Sequence, residues 1–209
     1  MIRAIIFDIG GVLIDLDRTA CIKAFRELLG YERITEILDA SHSRGPYMEL
    51  EAGRITPEEF RAQILSQSRP DALPEDVDRS MRAFLGKMDP SKARLIERLW
   101  GQYDLYLLSN NNPISMPRCR EILAENGIEP SRYFKAEFVS SEMKLLKPSR
   151  DFYGEVVRRI GLPPEELLFI DDSMANVEGA RSVGIRAVHF VQGGDLEACI
   201  TSAIQASAQ

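Results

Sequence analysis

Three short apolar runs in this chain stop abruptly at polar residues, and that pattern limits the possible folds more than any other feature. Ala4-Ile5-Ile6-Phe7 runs into Asp8, Leu105-Tyr106-Leu107-Leu108 into Ser109-Asn110, and Leu167-Leu168-Phe169-Ile170 into Asp171-Asp172. A continuous apolar run this short, bounded by turn residues, reads as a strand covered on both faces, the habit of parallel sheets. Helical patterns separate the runs. Asp89-Pro90 opens a helix ending at Trp100-Gly101, and a second lies near Pro117 to Asn126, stopped by Gly127. Ser149 caps a third through Phe152, Val156 and Ile160 to Gly161, and Ser173 caps a fourth that Gly184 ends. Phe138-Val139 and Ala187-Val188-His189-Phe190 read as further strands, before a C-terminal helix that frays at Ala206-Ser207-Ala208-Gln209. Strands alternating with helices mean a parallel sheet wrapped on both sides.

One stretch breaks the alternation. Between Leu16 and Met88 there is no strand-like run. Arg18 to Leu29 carries Cys21, Phe25, Leu28 and Leu29 at helical spacing, and Gly30 closes it. Thr56-Pro57-Glu58-Glu59 is a capping box with proline at the first helical position. Pro74 to Leu85 reads as another helix. The expected fold is therefore α/β: a Rossmann-like parallel-sheet core made of residues 1–15 and 89–209, with an inserted α-helical domain over 16–88.

Bulk properties narrow the class of function. With 209 residues the chain can bury a core without disulfides or a structural metal. A formal net charge of -6 disfavours general nucleic-acid binding. Cys21, Cys119 and Cys199 are odd in number, widely spaced and free of any CxxC pattern, which suits reduced thiols in a cytoplasm. The apolar start, MIRAIIFDIGGVLID, is interrupted by Asp8, lacks a small-residue cleavage site and is too short to span a bilayer. It reads as a buried first strand, with no export signal or membrane anchor expected.

In an open α/β sheet, ligands sit beyond the carboxyl ends of the strands. Parallel strands would bring Asp8, Ser109-Asn110 and Asp171-Asp172 together there. For any one of them loop capping is the simpler reading; for all three together a shared site is. The set suits phosphoryl transfer. An aspartate is already ionised at neutral pH, so Asp8 needs no base to act as a nucleophile. A hard cation on carboxylate oxygens, with Mg²⁺ the usual choice, would relieve its repulsion from a phosphate. Asp8 and Asp172 are the expected direct ligands, with Asp171 acting through water. Lys147 would neutralise the remaining phosphate charge, with Lys144 as its competitor, and Ser109 would donate a hydrogen bond.

FDIGGVLID, LLSN, LKPSRDFY and FIDDSMANVEGA resemble, in order and spacing, the four motifs of the haloacid dehalogenase (HAD) superfamily. The helical insert is similar to the cap of its first subfamily. The FD-x-GGV opening and the DDS-x-x-N ending resemble the branch containing bacterial α-glucose-1-phosphate phosphatases and similar small-metabolite phosphatases. The resemblance implies an aspartyl-phosphate on Asp8, phosphate binding by Ser109 and Lys147, and a metal served by Asp171, Asp172 and the Gly10 carbonyl. The substrate it implies is a small phosphorylated molecule.

The chain departs from the superfamily pattern at Gly10, where most HAD phosphatases carry a second aspartate as general acid and base. Such help contributes about 10²–10⁴-fold, or roughly 3–5 kcal/mol of barrier. The enzyme is then slow, or prefers good leaving groups such as sugar 1-phosphates or acyl phosphates, or recruits another residue or a water. The second consequence is the one favoured, and a phosphoglucomutase is disfavoured. Two alternatives are a dehalogenase, which would not be expected to keep Asp171-Asp172, and a catalytically weakened HAD protein that binds a phosphorylated ligand or a partner.

Further candidates are weaker. Asn110 is a second-tier substrate contact, whereas Asn111 and Asn112 suit turn chemistry. In the stretch Gly45–Arg54, Arg44 just before it, Tyr47 and Glu49 are candidates to face the substrate, with Tyr47 and Met48 equally fit for a core. Asp15 and Asp17 flank the passage into the insert, Asp17 as a helix cap. His42, His189 and Trp100 are assigned no functional role.

Overall fold

The structure, a computed structural model, describes residues 1–38 and 45–206. His42 and Arg44 lie outside the described residues. The chain opens with β1 (Ala4–Phe7), and among the described residues five helices follow: α1 (Arg18–Leu29), α2 (Ile34–Ile37), α3 (Gly45–Glu51), α4 (Pro57–Leu65) and α5 (Pro74–Arg82). The alternating part follows as α6 (Pro90–Leu99), β2 (Asp104–Ser109), α7 (Met116–Glu125), α8 (Pro130–Tyr133), β3 (Ala136–Val139) and α9 (Ser140–Met143). It is completed by α10 (Arg150–Ile160), β4 (Leu167–Asp171), α11 (Met174–Arg181), β5 (Arg186–His189) and α12 (Leu196–Ala206).

The five strands form one wholly parallel sheet in the order β3-β2-β1-β4-β5. β1 lies at the centre, with Phe7 level with Leu107 on one side and Ile170 on the other. Asp8, Ser109 and Asp171 are thereby carried to one edge. Side chains of a strand alternate between faces, and two separate cores result. Ile5, Phe7, Leu105, Leu107, Leu168 and Ile170 pack on one face, and Ala4, Ile6, Tyr106, Leu108, Leu167 and Phe169 on the other.

The helical block has a third core of its own, built around Phe25, Tyr47, Leu50, Phe60 and Met81, into which Ile114 projects from the loop after β2. Two crossing segments join the block to the sheet side by side. Asp15 N–H donates to Lys87 O at 2.9 Å, Gly86 N–H to Asp15 O at 2.8 Å and Asp17 N–H to Phe84 O at 2.9 Å. The Asp17 carboxylate caps α1 by accepting from Ala20 N–H, and Asp15 is held 3.0 Å from Lys92 Nζ.

Several boundaries move from their sequence-based positions. The third strand extends back to Ala136, and α5 stops at Arg82 rather than Leu85. α11 ends at Arg181, with Gly184 closing the turn beyond it. Ser173 precedes α11 without a side-chain cap bond; its N–H is turned onto the Asp171 carboxylate instead. Trp100 is partly exposed and packs edge-on against Tyr133. His189 is exposed at the end of β5, where its Nε2 donates to the Asp172 carbonyl oxygen at 2.9 Å. Among the described residues no helix is long and apolar enough to cross a membrane.

Candidate active site

The carboxyl edge of the sheet and the helical block enclose a cavity of about 550 Å³. Asp8, Ser109, Lys147 and Asp172 line its floor. Asp8 follows β1 directly, and its main chain is pinned by the Asp8 N–H donating to Ile170 O at 2.9 Å. Its Oδ1 accepts from Ile9 N–H at 2.7 Å, and its Oδ2 lies 2.8 Å from Lys147 Nζ. The same ammonium sits 2.6 Å from Asp171 Oδ2 and 3.3 Å from Leu108 O. Lys147 therefore bridges the ends of β1 and β4. Lys144, its competitor, is exposed at the end of α9.

The two late aspartates are not equivalent. Asp171 is fully buried; its second oxygen, Oδ1, accepts from Ser173 N–H at 2.8 Å and Asn176 Nδ2 at 2.9 Å. It acts as an anchor for Lys147. Asp172 lines the cavity, with its carboxylate laid over the backbone of Gly11. A Cβ on Gly11 would fall 2.1 Å from Asp172 Oδ2, and Gly11 has a φ of 72°. Only glycine meets both demands. Carboxylate oxygens of Asp8, Asp171 and Asp172 all lie within 4.8 Å of one another. This hard oxygen set fits a small divalent cation such as Mg²⁺, with Asp8 and Asp172 the freer donors.

Electrostatics follow from that crowding. Burial pushes the Asp8 carboxyl well above its ordinary value of 3.8; Lys147 opposes the shift, and Asp171 and Asp172 add to it. Asp172 is also raised, by burial and then by Asp171. Burial works against the Lys147 charge, but Asp171 and Asp8 outweigh it and hold the lysine above its usual range.

Ser109 Oγ is 3.5 Å from Asn110 O, the outer limit of hydrogen bonding, so the hydroxyl is available to a ligand. Asn110 lines the cavity and also holds the neighbouring loop. Its Oδ1 accepts from Lys147 N–H at 2.9 Å and its Nδ2 donates to Lys147 O at 3.1 Å. Through these two bonds the amide clamps the backbone that carries Lys147. Asn111 and Asn112 make the expected turn, Asn112 Oδ1 accepting from the N–H groups of Ile114 and Ser115.

At Gly10, the Leu16 side chain packs close to the backbone, its methyl carbons 3.2 and 3.3 Å from where a Cβ would lie. In the helical block, Tyr47 lines the cavity while packing edge-on against Phe60 in the core of that block. Glu49 instead pairs with Arg54 at 2.9 Å. Arg18 and Glu51 are the charged lining residues of the block among the described residues, and neither was singled out beforehand. Glu51 follows Tyr47 by one turn, a signal available only once the orientation of α3 is known.

The haloacid dehalogenase-like hydrolase family matches this chain over residues 2–184. The chain belongs to that family. Among relatives of this HAD-like hydrolase, D-ribitol-5-phosphate phosphatase from Bacteroides thetaiotaomicron is 30% identical over 196 residues, covering 93% of this chain and 95% of the relative. A HAD family enzyme from the same organism, solved with magnesium and inorganic phosphate, superposes with a TM-score of 0.88 at 32% identity, over 93% of this chain and 96% of that one. A predicted HAD-like family hydrolase from Porphyromonas gingivalis gives a TM-score of 0.89 at 33% identity, over 98% of both chains.

Proposed function

We propose that this HAD-like hydrolase is a magnesium-dependent phosphatase of small phosphorylated metabolites that uses Asp8 as its nucleophile. The chain is then a phosphoric monoester hydrolase, and its relative named for D-ribitol 5-phosphate points first to polyol and sugar phosphates. The observation that carries the proposal is Lys147 bridging Asp8 and Asp171 within reach of the freer Asp172.

The residues divide the work as follows. An Asp8 carboxylate oxygen attacks phosphorus in line with the leaving oxygen. Ser109 and the Lys147 ammonium donate to the equatorial phosphoryl oxygens, and Asn110 fixes the backbone that presents Lys147. Asp8, Asp172 and the Gly10 carbonyl would hold Mg²⁺, which would supply positive charge where two anions must meet. As the Asp8–phosphorus bond forms, the bond from phosphorus to the leaving oxygen breaks and that oxygen takes a proton from water to leave as the alcohol; a second water then cleaves the aspartyl-phosphate to return Asp8 and inorganic phosphate. Residues 1–15 and 89–209 act as the catalytic core and 16–88 as a cap that keeps bulk water out. A cytoplasmic location belongs to the same proposal, supported by three cysteines that form no disulfide.

The test is phosphate release from a panel of polyol phosphates, sugar 1-phosphates and acyl phosphates. The arms are Mg²⁺, a chelator, and the Asp8→Asn protein. Release that needs magnesium and falls by at least about 10⁴-fold in the variant is the expected result. Activity retained by Asp8→Asn would remove the nucleophile, and no release by the wild type would favour the dehalogenase or ligand-binding alternatives.

A further inference from the structure

The proposed reaction accounts for the floor of the cavity. Its roof comes from the helical block, which is joined to the sheet by two crossing segments, and Leu16 in the first of these lines the cavity. Main-chain bonds in that segment alternate in direction, as they do along a strand. Asp15 and Asp17 turn their N–H groups onto the second crossing segment, at Lys87 O and Phe84 O. Leu16, between them, bonds to a different partner. Its N–H donates to Gln192 Oε1 at 2.8 Å, and Gln192 Nε2 donates to Leu16 O at 3.2 Å. One side-chain amide thus pairs with both main-chain groups of a single residue, as a neighbouring strand would.

Gln192 stands on the sheet side of the molecule, in the loop between β5 and α12. That loop is anchored at both ends. Phe190 is buried in the core and its N–H donates to Asp171 O at 2.9 Å, while the Asp195 carboxylate accepts from Ala198 N–H at 3.0 Å at the start of α12. Just before the loop, His189 holds the Asp172 carbonyl oxygen. One short stretch therefore touches both the carboxylate-bearing loop and the crossing into the roof.

The far end of the roof is seated as well. Ser140 Oγ donates to Glu51 O at 2.6 Å, and Gly53 lies so close to the Ser141 carbonyl oxygen that a Cβ there would be 2.2 Å from it. The helical block is thus down on the sheet side, and the Gln192 amide holds the crossing in the conformation that goes with that position. Turning the block away requires main-chain rotation in the crossing segments, and rotation at Leu16 would break both bonds to Gln192 together. Leu16 also packs at Gly10, so whatever fixes its backbone fixes what stands beside the nucleophile's loop. On this basis, and resting on the phosphatase proposal above, we infer that Gln192 is a positioning residue: by clamping the Leu16 backbone it keeps the roof over the phosphate end during turnover. Gln192 is not among the residues lining the cavity and acts through Leu16.

The test is Gln192→Met, which keeps the length of the side chain and removes the amide at an exposed position, with thermal melting as the folding control. Amide hydrogen exchange at Asp15, Asp17 and Gly86 reads the clamp, because their bonds run between the two crossing segments and are untouched by the substitution. Exchange at these three should quicken by about 3–10-fold, the net worth of roughly one hydrogen bond. The ratio of kcat/KM for a pentitol 5-phosphate to that for acetyl phosphate reads the consequence, since the longer substrate extends to the roof and the shorter one stays at the floor. That ratio should fall by about 3–10-fold as well. Unchanged exchange would overturn the clamp. Quickened exchange with an unchanged ratio would overturn the positioning role and leave Gln192 a structural residue. Absence of release from both substrates by the wild type would overturn the phosphatase proposal and the positioning role with it, while the exchange rates would still decide the clamp.

Discussion

Gly11 shows how closely single residues are fitted at the nucleophile's loop. Its backbone supports the Asp172 carboxylate at a distance no Cβ permits, and its positive φ adds a second penalty for any side chain. Gly11→Ala is therefore expected to cost about 1–3 kcal/mol in stability. Because it displaces a metal-facing carboxylate rather than removing it, the magnesium concentration for half-maximal activity should rise about 10–100-fold. Urea unfolding and a magnesium titration of phosphate release check the two parts separately; a normal magnesium requirement would mean that Asp172 tolerates the shift. The floor of the site was readable in sequence because each of Asp8, Ser109 and Asp171-Asp172 interrupts an apolar run at the same structural point. Lys147 had only a weak Lys-Pro signal, and burial decides between it and Lys144. Asn110 lines the cavity, and its amide also clamps the Lys147 backbone, a pairing across 37 residues that no local pattern reveals. Leu16 and Glu51 were missed because both matter through what they face, and facing depends on how the helical block sits over the sheet.

Elements differ in how far their stabilising bonds reach. Thr56 accepts from Glu59 N–H and Glu59 returns a bond to Thr56 N–H, a reciprocal cap confined to the start of α4. Ser140, at the start of α9, instead joins three segments: its hydroxyl donates to Glu51 O and accepts from Asn111 N–H. Thr56→Ala should cost about 1 kcal/mol and leave KM as it is. Ser140→Ala strands two buried backbone groups and should cost about 1–3 kcal/mol for each left unpaired, with a rise in KM as α3 loosens over the cavity. Parallel urea and kinetic measurements on the two variants compare them; an equal KM would mean that α3 is held by other contacts. This contrast also marks what sequence conveys about elements. Asp17, Thr56 and Ser149 cap helices through local bonds, and Gly30 and Gly161 end them in the left-handed region, so those ends were legible. Ser173 was misread as a side-chain cap because its N–H is claimed by the active-site Asp171, a tertiary demand that overrides the local one.

For the whole molecule, alternating strands and helices were enough to read a parallel sheet, and the lack of a strand-like run between Leu16 and Met88 agrees with the helices α1 to α5 described there. The spatial order β3-β2-β1-β4-β5 came from the structure, since it depends on which crossovers run to which side of β1. That order concentrates three carboxylates and one lysine at a single edge, and global stability should register the imbalance. Asp8 and Asp172 have folded-state values raised above those of an unfolded carboxyl. The folded chain therefore holds protons that the unfolded chain has already lost, and without metal their effect is a stability that falls as pH rises from about 4 through the raised values. Magnesium at about 100 times its dissociation constant should return about 2.7 kcal/mol, roughly 5–10 °C in Tm for a chain of this size. The gain should be smaller at pH 5 than at pH 8, and largely lost in Asp172→Asn; thermal melts with and without chelator measure it, and an equal gain at both pH values would place the metal elsewhere. The contact between Gly53 and the Ser141 carbonyl has a consequence of another kind. It divides the roof into a rear that tolerates no change and a front where Tyr47, Met48 and Glu51 meet the cavity. New catalysts made from this scaffold should therefore arise by varying those three positions, whereas libraries that randomise Gly53 should yield mostly inactive protein.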